Sequence, residues 1–181
     1  MVEERLLLDE KQMDDLLRSI AKKIVGDGYG EAVLVGIQSR GVPLAHWLAK
    51  HVTQFAKKSP PVGTLDINLY RDDLSEVSDQ PVVRKTDFPF TVQGADIILV
   101  DDVLYTGRTI RAALDCVIDY GRPKRIQLAV LIDRGWRELP IQADYTGKTV
   151  KTKAEEVIKV MTKEFDGKNC VVVKSDFSKR F

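Results

Sequence analysis

Apolar positions along the chain follow two rhythms. Residues 32–35, 97–100 and 125–132 are short, dense apolar runs of the kind that form strands buried on both faces. Between them the spacing changes to that of helices. Met13, Leu16, Leu17, Ile20 and Ile24 form one stripe over residues 9–25, opened by Asp9 with Gln12 three positions on and closed by Gly26, Gly28 and Gly30. Leu44, Leu48, Val52 and Phe55 form a second stripe from about Val42, and Ile110, Ala113, Leu114, Val117 and Ile118 a third that stops at Gly121 and Pro123. Buried strands alternating with amphipathic helices predict an α/β fold around a mostly parallel sheet. His46 and His51 ride on the second helix and read as packing or surface residues.

The remaining segments are less regular. Residues 64–69 alternate strictly and predict a strand with one wet face. From 70 to 94 the chain is polar, with Pro81 and Pro89, and is long enough for a lid over a site. Residues 136–150 read as loop, while 157–161 and 170–173 read as two strands flanking a turn at Asp166-Gly167. The end, with Lys174, Lys179, Arg180 and Phe181, reads as a loosely held tail.

Composition narrows the class. A chain of 181 residues is one domain by size, with room for a sizeable core. With 28 Lys plus Arg against 27 Asp plus Glu, net charge gives no bulk attraction to nucleic acid, so only a local patch could supply one. Cys116 and Cys170 fit no metal-ligand spacing and predict reduced thiols, hence a cytoplasmic protein. No apolar run is long enough for a membrane span, and Met1-Val-Glu-Glu lacks the basic start of a signal peptide, so no membrane partner is expected.

The chemistry is concentrated in residues 97–109. Four apolar residues run into Asp101 and Asp102, and because burying that pair is costly the strand should end there. That presents both acids at the carboxyl edge, where open α/β sheets keep their ligand crevices. Thr106-Gly107-Arg108-Thr109 then supplies two hydroxyls, a glycine that lets backbone approach a ligand, and a guanidinium, at the start of a helix whose amides and dipole attract anions. Acids beside a phosphate cradle suit a sugar phosphate: the carboxylates take ribose hydroxyls or hold Mg²⁺ while the turn holds phosphate. The strand, loop, helix pattern recurs at residues 36–41, where the planar fork of Arg40 suits a second phosphate. A third strand end brings Asp133, which either contacts Mg²⁺, positions a base or caps the following turn.

Along its whole length the 97–109 segment resembles the phosphoribosyl-pyrophosphate (PRPP) motif of the type I phosphoribosyltransferases. Val35-Gly-Ile-Gln-Ser-Arg-Gly41, Leu65-Asp-Ile-Asn-Leu-Tyr-Arg-Asp-Asp-Leu74 and Asp133-Arg-Gly-Trp-Arg-Glu-Leu-Pro140 narrow the resemblance, over roughly residues 10–160, to the pyrimidine-operon attenuation regulators that double as uracil phosphoribosyltransferases. The resemblance implies one domain over 1–181: a central, mostly parallel sheet flanked by helices, a small hood from the N- and C-terminal segments, and a flexible lid at about 70–94. It implies the reaction of uracil with PRPP to give UMP and pyrophosphate, with Mg²⁺ held at Asp101 and Asp102. Ser39, Arg40 and Gly41 would take the diphosphate from a loop that often contains a cis peptide, and Asp101, Asp102, Val103, Leu104, Tyr105, Thr106, Gly107, Arg108 and Thr109 would hold the ribose phosphate. Arg71, at the base of the lid, would meet the leaving pyrophosphate and join Asp101 and Asp102 as a catalytic residue. The base would lie near Asp133, Arg134, Lys148 and Val150.

Tyr105 stands where related purine transferases carry an acid that handles a ring proton, which favours a pyrimidine and leaves catalysis to positioning and charge. The resemblance also implies a homo-oligomer, dimer or larger, sensing UMP or UTP and binding a messenger-RNA leader hairpin through a basic groove. Arg18, Lys22, Arg137 and Lys148, with Lys151 and Lys153, are the charges available for it, while Ser19, Lys22, Trp136 and Gln142 depart from the family pattern at RNA-contact positions. Two alternatives remain: a regulator that mainly binds RNA, and a salvage transferase for another base.

Overall fold

The computed structural model describes residues 3–70 and 85–175. Its larger part is a five-stranded sheet made of β2 (Val33–Ile37), β3 (Val62–Leu65), β4 (Asp96–Leu104), β5 (Arg125–Asp133) and β6 (Tyr145–Thr149), in the order β3-β2-β4-β5-β6 and parallel throughout. Helix α1 (Glu10–Gly26) starts at a complete capping box, Asp9 with Gln12, as its sequence predicts. Helices α2 (Gly41–Ala56) and α3 (Arg108–Asp119) connect the strands.

Alternation along the central strands assigns each face. Ile98 and Val100 of β4 and Ala129 and Leu131 of β5 join Met13 and Leu17 of α1 and Leu44 and Leu48 of α2 in one core. Ile97 and Leu99, with Leu128 and Val130, meet Ile110, Ala113, Cys116 and Val117 of α3 on the other side. Burying each large aliphatic side chain contributes about 1.5–3 kcal/mol, so both faces are needed to hold the sheet. Beside it stands a small antiparallel sheet in the order β1-β8-β7, from β1 (Glu3–Leu8), β7 (Glu156–Met161) and β8 (Cys170–Ser175), with the single-turn helix α4 (Lys163–Asp166) between β7 and β8. Asp14 ties the first two helices together, its Oδ1 accepting from Trp47 Nε1 at 2.6 Å and lying 2.7 Å from His51 Nε2.

Several local expectations change. The strand expected over 64–69 is β3 at Val62–Leu65, followed by a 3-10 turn at Asn68–Tyr70, because the Asp66 carboxylate accepts the Asn68 N–H at 3.0 Å and bends the chain. Part of the expected lid is anchored: Asp87 bridges Thr64, Val92 is buried, and Phe88 packs on Phe90 and edge-on to Tyr120. Residues 71–84 of that lid lie outside the described residues. Residues 145–149, read as loop, form β6, whose polar residues are tolerated on an end strand. Ile118 is exposed rather than core, and Lys174 belongs to β8 rather than a tail.

Candidate active site

The chain leaves β2 through α2 toward β3 on one side, and leaves β4 through α3 toward β5 on the other. The order of strands therefore reverses between β2 and β4, and a crevice opens beyond their carboxyl ends. Strand β4 does not stop at its acids. It pairs with β2 only as far as Val100, then continues beside β5, with Asp101 opposite Val130 and Leu104 opposite Asp133. The acids thus lie along the stretch where β4 has lost one neighbour, which lets a buried strand carry charge.

Each carboxylate is fixed by the next backbone amide: the Asp102 N–H donates to Asp101 Oδ1 and the Val103 N–H to Asp102 Oδ1, both at 2.9 Å. Asp101 is buried and Asp102 partly so. Burial pushes the Asp102 carboxyl up, opposed by its hydrogen bond with Asp101 and the nearby charge of Arg40. Among the described residues no three His, Cys, Asp or Glu converge on a common point. Two adjacent carboxylates nevertheless fit the way Mg²⁺ is held, by one or two acids plus substrate oxygens and water.

Gly107 turns the chain into α3 with φ 95°, a conformation that suits glycine, and a Cβ there would lie 3.3 Å from Leu139. The Thr106 carbonyl accepts N–H groups from Glu138 and Leu139, at 2.9 and 3.1 Å, and fixes the turn against that loop. Opposite it, Ser39 to Gly41 reach the same crevice, with a cis peptide between Gln38 and Ser39 as the resemblance implies. Gly41 is held so close that a Cβ would sit 2.4 Å from the Val100 carbonyl oxygen and 3.4 Å from Asp101 Cα. Unlike Asp9 at α1, the N-cap residues Arg40 of α2 and Gly107 of α3 make no side-chain cap; Thr106 Oγ1 accepts the Arg108 N–H at 3.3 Å, and uncapped helix amides of this kind can donate to an anion.

The arginines are engaged within the fold. Arg40 places Nε and Nη2 on the two carboxylate oxygens of Asp166, at 3.2 and 2.9 Å, and Arg108 pairs with Glu138 at 2.6 Å. Arg71 lies outside the described residues. Asp133, one of the expected base contacts, caps its own turn instead: Oδ1 accepts the Gly135 N–H at 2.9 Å and Oδ2 takes Arg137 at 2.6 Å. Arg134, expected beside the base, is buried with its guanidinium 4.0 Å from the Tyr105 ring centroid, bonded to Thr152 Oγ1 and the Glu156 carbonyl. Val150 does lie at the same edge, donating its N–H to the Asp133 carbonyl at 2.8 Å, while Lys148 is exposed on β6.

Of the residues expected to face RNA, Arg18 and Lys22 are exposed on α1, which packs over β6 with Leu16 against Gly147. Arg137 turns inward. Its Nε donates to the Ile141 carbonyl at 2.8 Å, Nη1 to the carbonyls of Tyr105 and Gly135 at 2.9 and 3.1 Å, and Nη2 to Asp133. That consumes most of a guanidinium's donors. Sequence reading missed Asp166 altogether, since Asp-Gly signals a turn and gives no sign of a long-range partner.

Comparison with known proteins agrees with this fold. Residues 6–164 match the family model described as a phosphoribosyl transferase domain. The chain is 55% identical over 169 residues to the "Bifunctional protein PyrR" of a Thermoanaerobacter species, covering 92% of this chain and 95% of that protein. It is 50% identical over 181 residues to the protein of the same name from Acetivibrio thermocellus, covering 99% and 98%. Among solved structures, a hypoxanthine phosphoribosyltransferase of Trypanosoma cruzi superposes with a TM-score of 0.71 at 18% identity, over 95% of this chain and 97% of that one, a likeness of fold. No helix among the described residues is long and apolar enough to cross a membrane.

Proposed function

The chain belongs to the phosphoribosyl transferase family and, within it, to the bifunctional PyrR proteins, and from that premise we propose that it transfers the ribosyl phosphate of PRPP to uracil, giving UMP and pyrophosphate. The observation that carries the reading is the meeting of three chain segments at the β2/β4 switch: the amide-fixed acids Asp101 and Asp102, the Gly107 turn opening α3, and the Ser39–Gly41 loop held against Val100. In this reading the acids accept hydrogen bonds from the ribose hydroxyls, and the amides of Thr106 to Thr109 donate to the 5′-phosphate. Arg40 and the α2 amides take the diphosphate, and the base lies beside Val150. Mg²⁺ bound at Asp101 and Asp102 would neutralise the leaving diphosphate.

With Tyr105 in place of an acid, these residues act by holding the anomeric carbon between base and leaving group and by stabilising a cationic ribosyl centre with carboxylates. Because burial raises the Asp102 pKa, affinity for Mg²⁺ and PRPP should fall at a higher pH than an ordinary carboxylate would allow. The test is UMP formation by Asp101→Ala combined with Asp102→Ala, at unchanged melting temperature. Turnover near wild type would refute the site. A panel of bases offered with PRPP tests the choice of uracil, and preference for a purine would refute it.

A second reading, regulation through an mRNA leader hairpin, is supported by the exposure of Arg18, Lys22 and Lys148 on the neighbouring elements α1 and β6. Gel-shift titration with a pyrimidine leader hairpin and a scrambled control, at two salt concentrations and with or without UMP, tests it. Equal, steeply salt-dependent binding to both RNAs would mean charge alone and no recognition.

A further inference from the structure

The hydrogen bonds of Asp166 connect the small sheet to the candidate diphosphate loop. Asp166 closes the single turn of α4, far along the chain from Arg40, and its side chain is only 8% exposed. Its two oxygens take the Nε and Nη2 edge of the Arg40 guanidinium, at 3.2 and 2.9 Å. The carboxylate is itself held: Oδ2 accepts the Thr162 N–H at 3.0 Å, and Oδ1 lies 3.4 Å from Lys159 Nζ. Arg40 immediately precedes Gly41, whose backbone rests on the Val100 carbonyl beside Asp101. A guanidinium has two bidentate edges. When a carboxylate takes the Nε edge, the Nη1/Nη2 end is what remains to meet an anion.

We infer that Asp166 is a positioning residue of the transfer reaction, clamping one edge of Arg40 so that the other faces the diphosphate of PRPP. The inference rests on the assignment of Arg40 to the diphosphate. An unclamped arginine must order several rotors when substrate binds, and that cost falls on binding. The clamp removes it beforehand. The small sheet, which contributes no atom to the ribose site described above, therefore takes part in substrate binding through one carboxylate. The effect should be confined to ligands that carry the diphosphate. UMP lacks that group and should not respond.

The test uses the full-length protein with Asp166→Asn, Arg40→Ala and the double variant. Asn keeps the size of the side chain and an oxygen for the Thr162 N–H. Asp166→Asn should raise KM for PRPP and the inhibition constant of pyrophosphate about tenfold, the scale of one charge-assisted hydrogen bond, with kcat and UMP affinity little changed. Arg40→Ala should raise both further, and the double variant should be no worse than Arg40→Ala alone, because Asp166 acts only through Arg40. An undiminished Asp166→Asn penalty in the Arg40→Ala background overturns the inference. So does tighter PRPP binding by Asp166→Asn, which would make Asp166 a mask over Arg40. If Arg40→Ala leaves PRPP and pyrophosphate binding unchanged, the diphosphate assignment itself fails; if only Asp166→Asn is silent, the assignment stands and the clamp falls. Should Asp166→Asn melt too low for kinetics, Arg40→Lys keeps the charge and loses the two-point clamp. It is expected to show the same rise in KM for PRPP, and a wild-type value overturns the clamp.

Discussion

Replacing Arg137 separates a residue that binds from a residue that builds. Its guanidinium satisfies the Asp133 carboxylate and three backbone carbonyls from Tyr105, Gly135 and Ile141, with its side chain 21% exposed. In Arg137→Ala the charge-assisted bond to Asp133 is lost, about 1.5–3 kcal/mol, and three carbonyls lose a donor at roughly 0.5–1 kcal/mol each. Water entering the vacated, partly exposed space recovers some of this, which leaves a destabilisation of about 3 kcal/mol. For a domain of this size that is roughly 6–12 °C in melting temperature. Arg137→Lys, with three donors and no fork, should lose about half as much. Urea unfolding followed by circular dichroism, at unchanged m-value, gives the number. If Arg137→Ala stays within about 0.5 kcal/mol of wild type while RNA affinity collapses, the residue is an RNA contact and the structural account is refuted.

Two further outcomes are expected. Gly41→Ala cannot keep its loop in place, since the new Cβ would lie 2.4 Å from the Val100 carbonyl oxygen; a shift of that loop should lower kcat/KM for PRPP by on the order of 10²-fold, and near-wild-type kinetics would contradict the packing. For pH, the Arg40 hydrogen bonds hold the Asp166 carboxyl well below its ordinary 3.8, down to about 2. A carboxylate depressed in the folded state contributes stability that is complete above the unfolded pKa and lost as pH falls through the folded one. Stability should therefore drop by roughly 2 kcal/mol between pH ~4 and ~2, and urea unfolding across that range should show a flatter profile for Asp166→Asn.

The parts of the fold legible in the sequence are those set by local rules. The capping box at Asp9, the helical stripes and the doubly buried run before Asp101 each carry their own pattern, and apart from the exposed Ile118 the structure reproduces them. Strand β6 was hidden because an end strand needs little apolar content, and β4 runs past its acids because the withdrawal of β2 makes room for them, which one strand's sequence does not reveal. The turn cap at Asp133 was one of the readings its sequence offered, but the partners of Arg134, Arg137 and Arg40 were illegible for a common reason. A charged residue at a strand end looks the same whether it awaits a ligand or is bonded to a distant part of its own chain.

Strand β6 stands last in its sheet and leaves Thr146, Lys148 and Thr149 exposed. The residues proposed to hold the ribose phosphate, by contrast, fall in one unbroken stretch that runs from the end of β4 through the Gly107 turn into α3. On the proposed reading, a graft that exchanges the end strand and the residues after it should change which nucleobase is accepted while the stretch from Asp101 to Thr109 stays untouched.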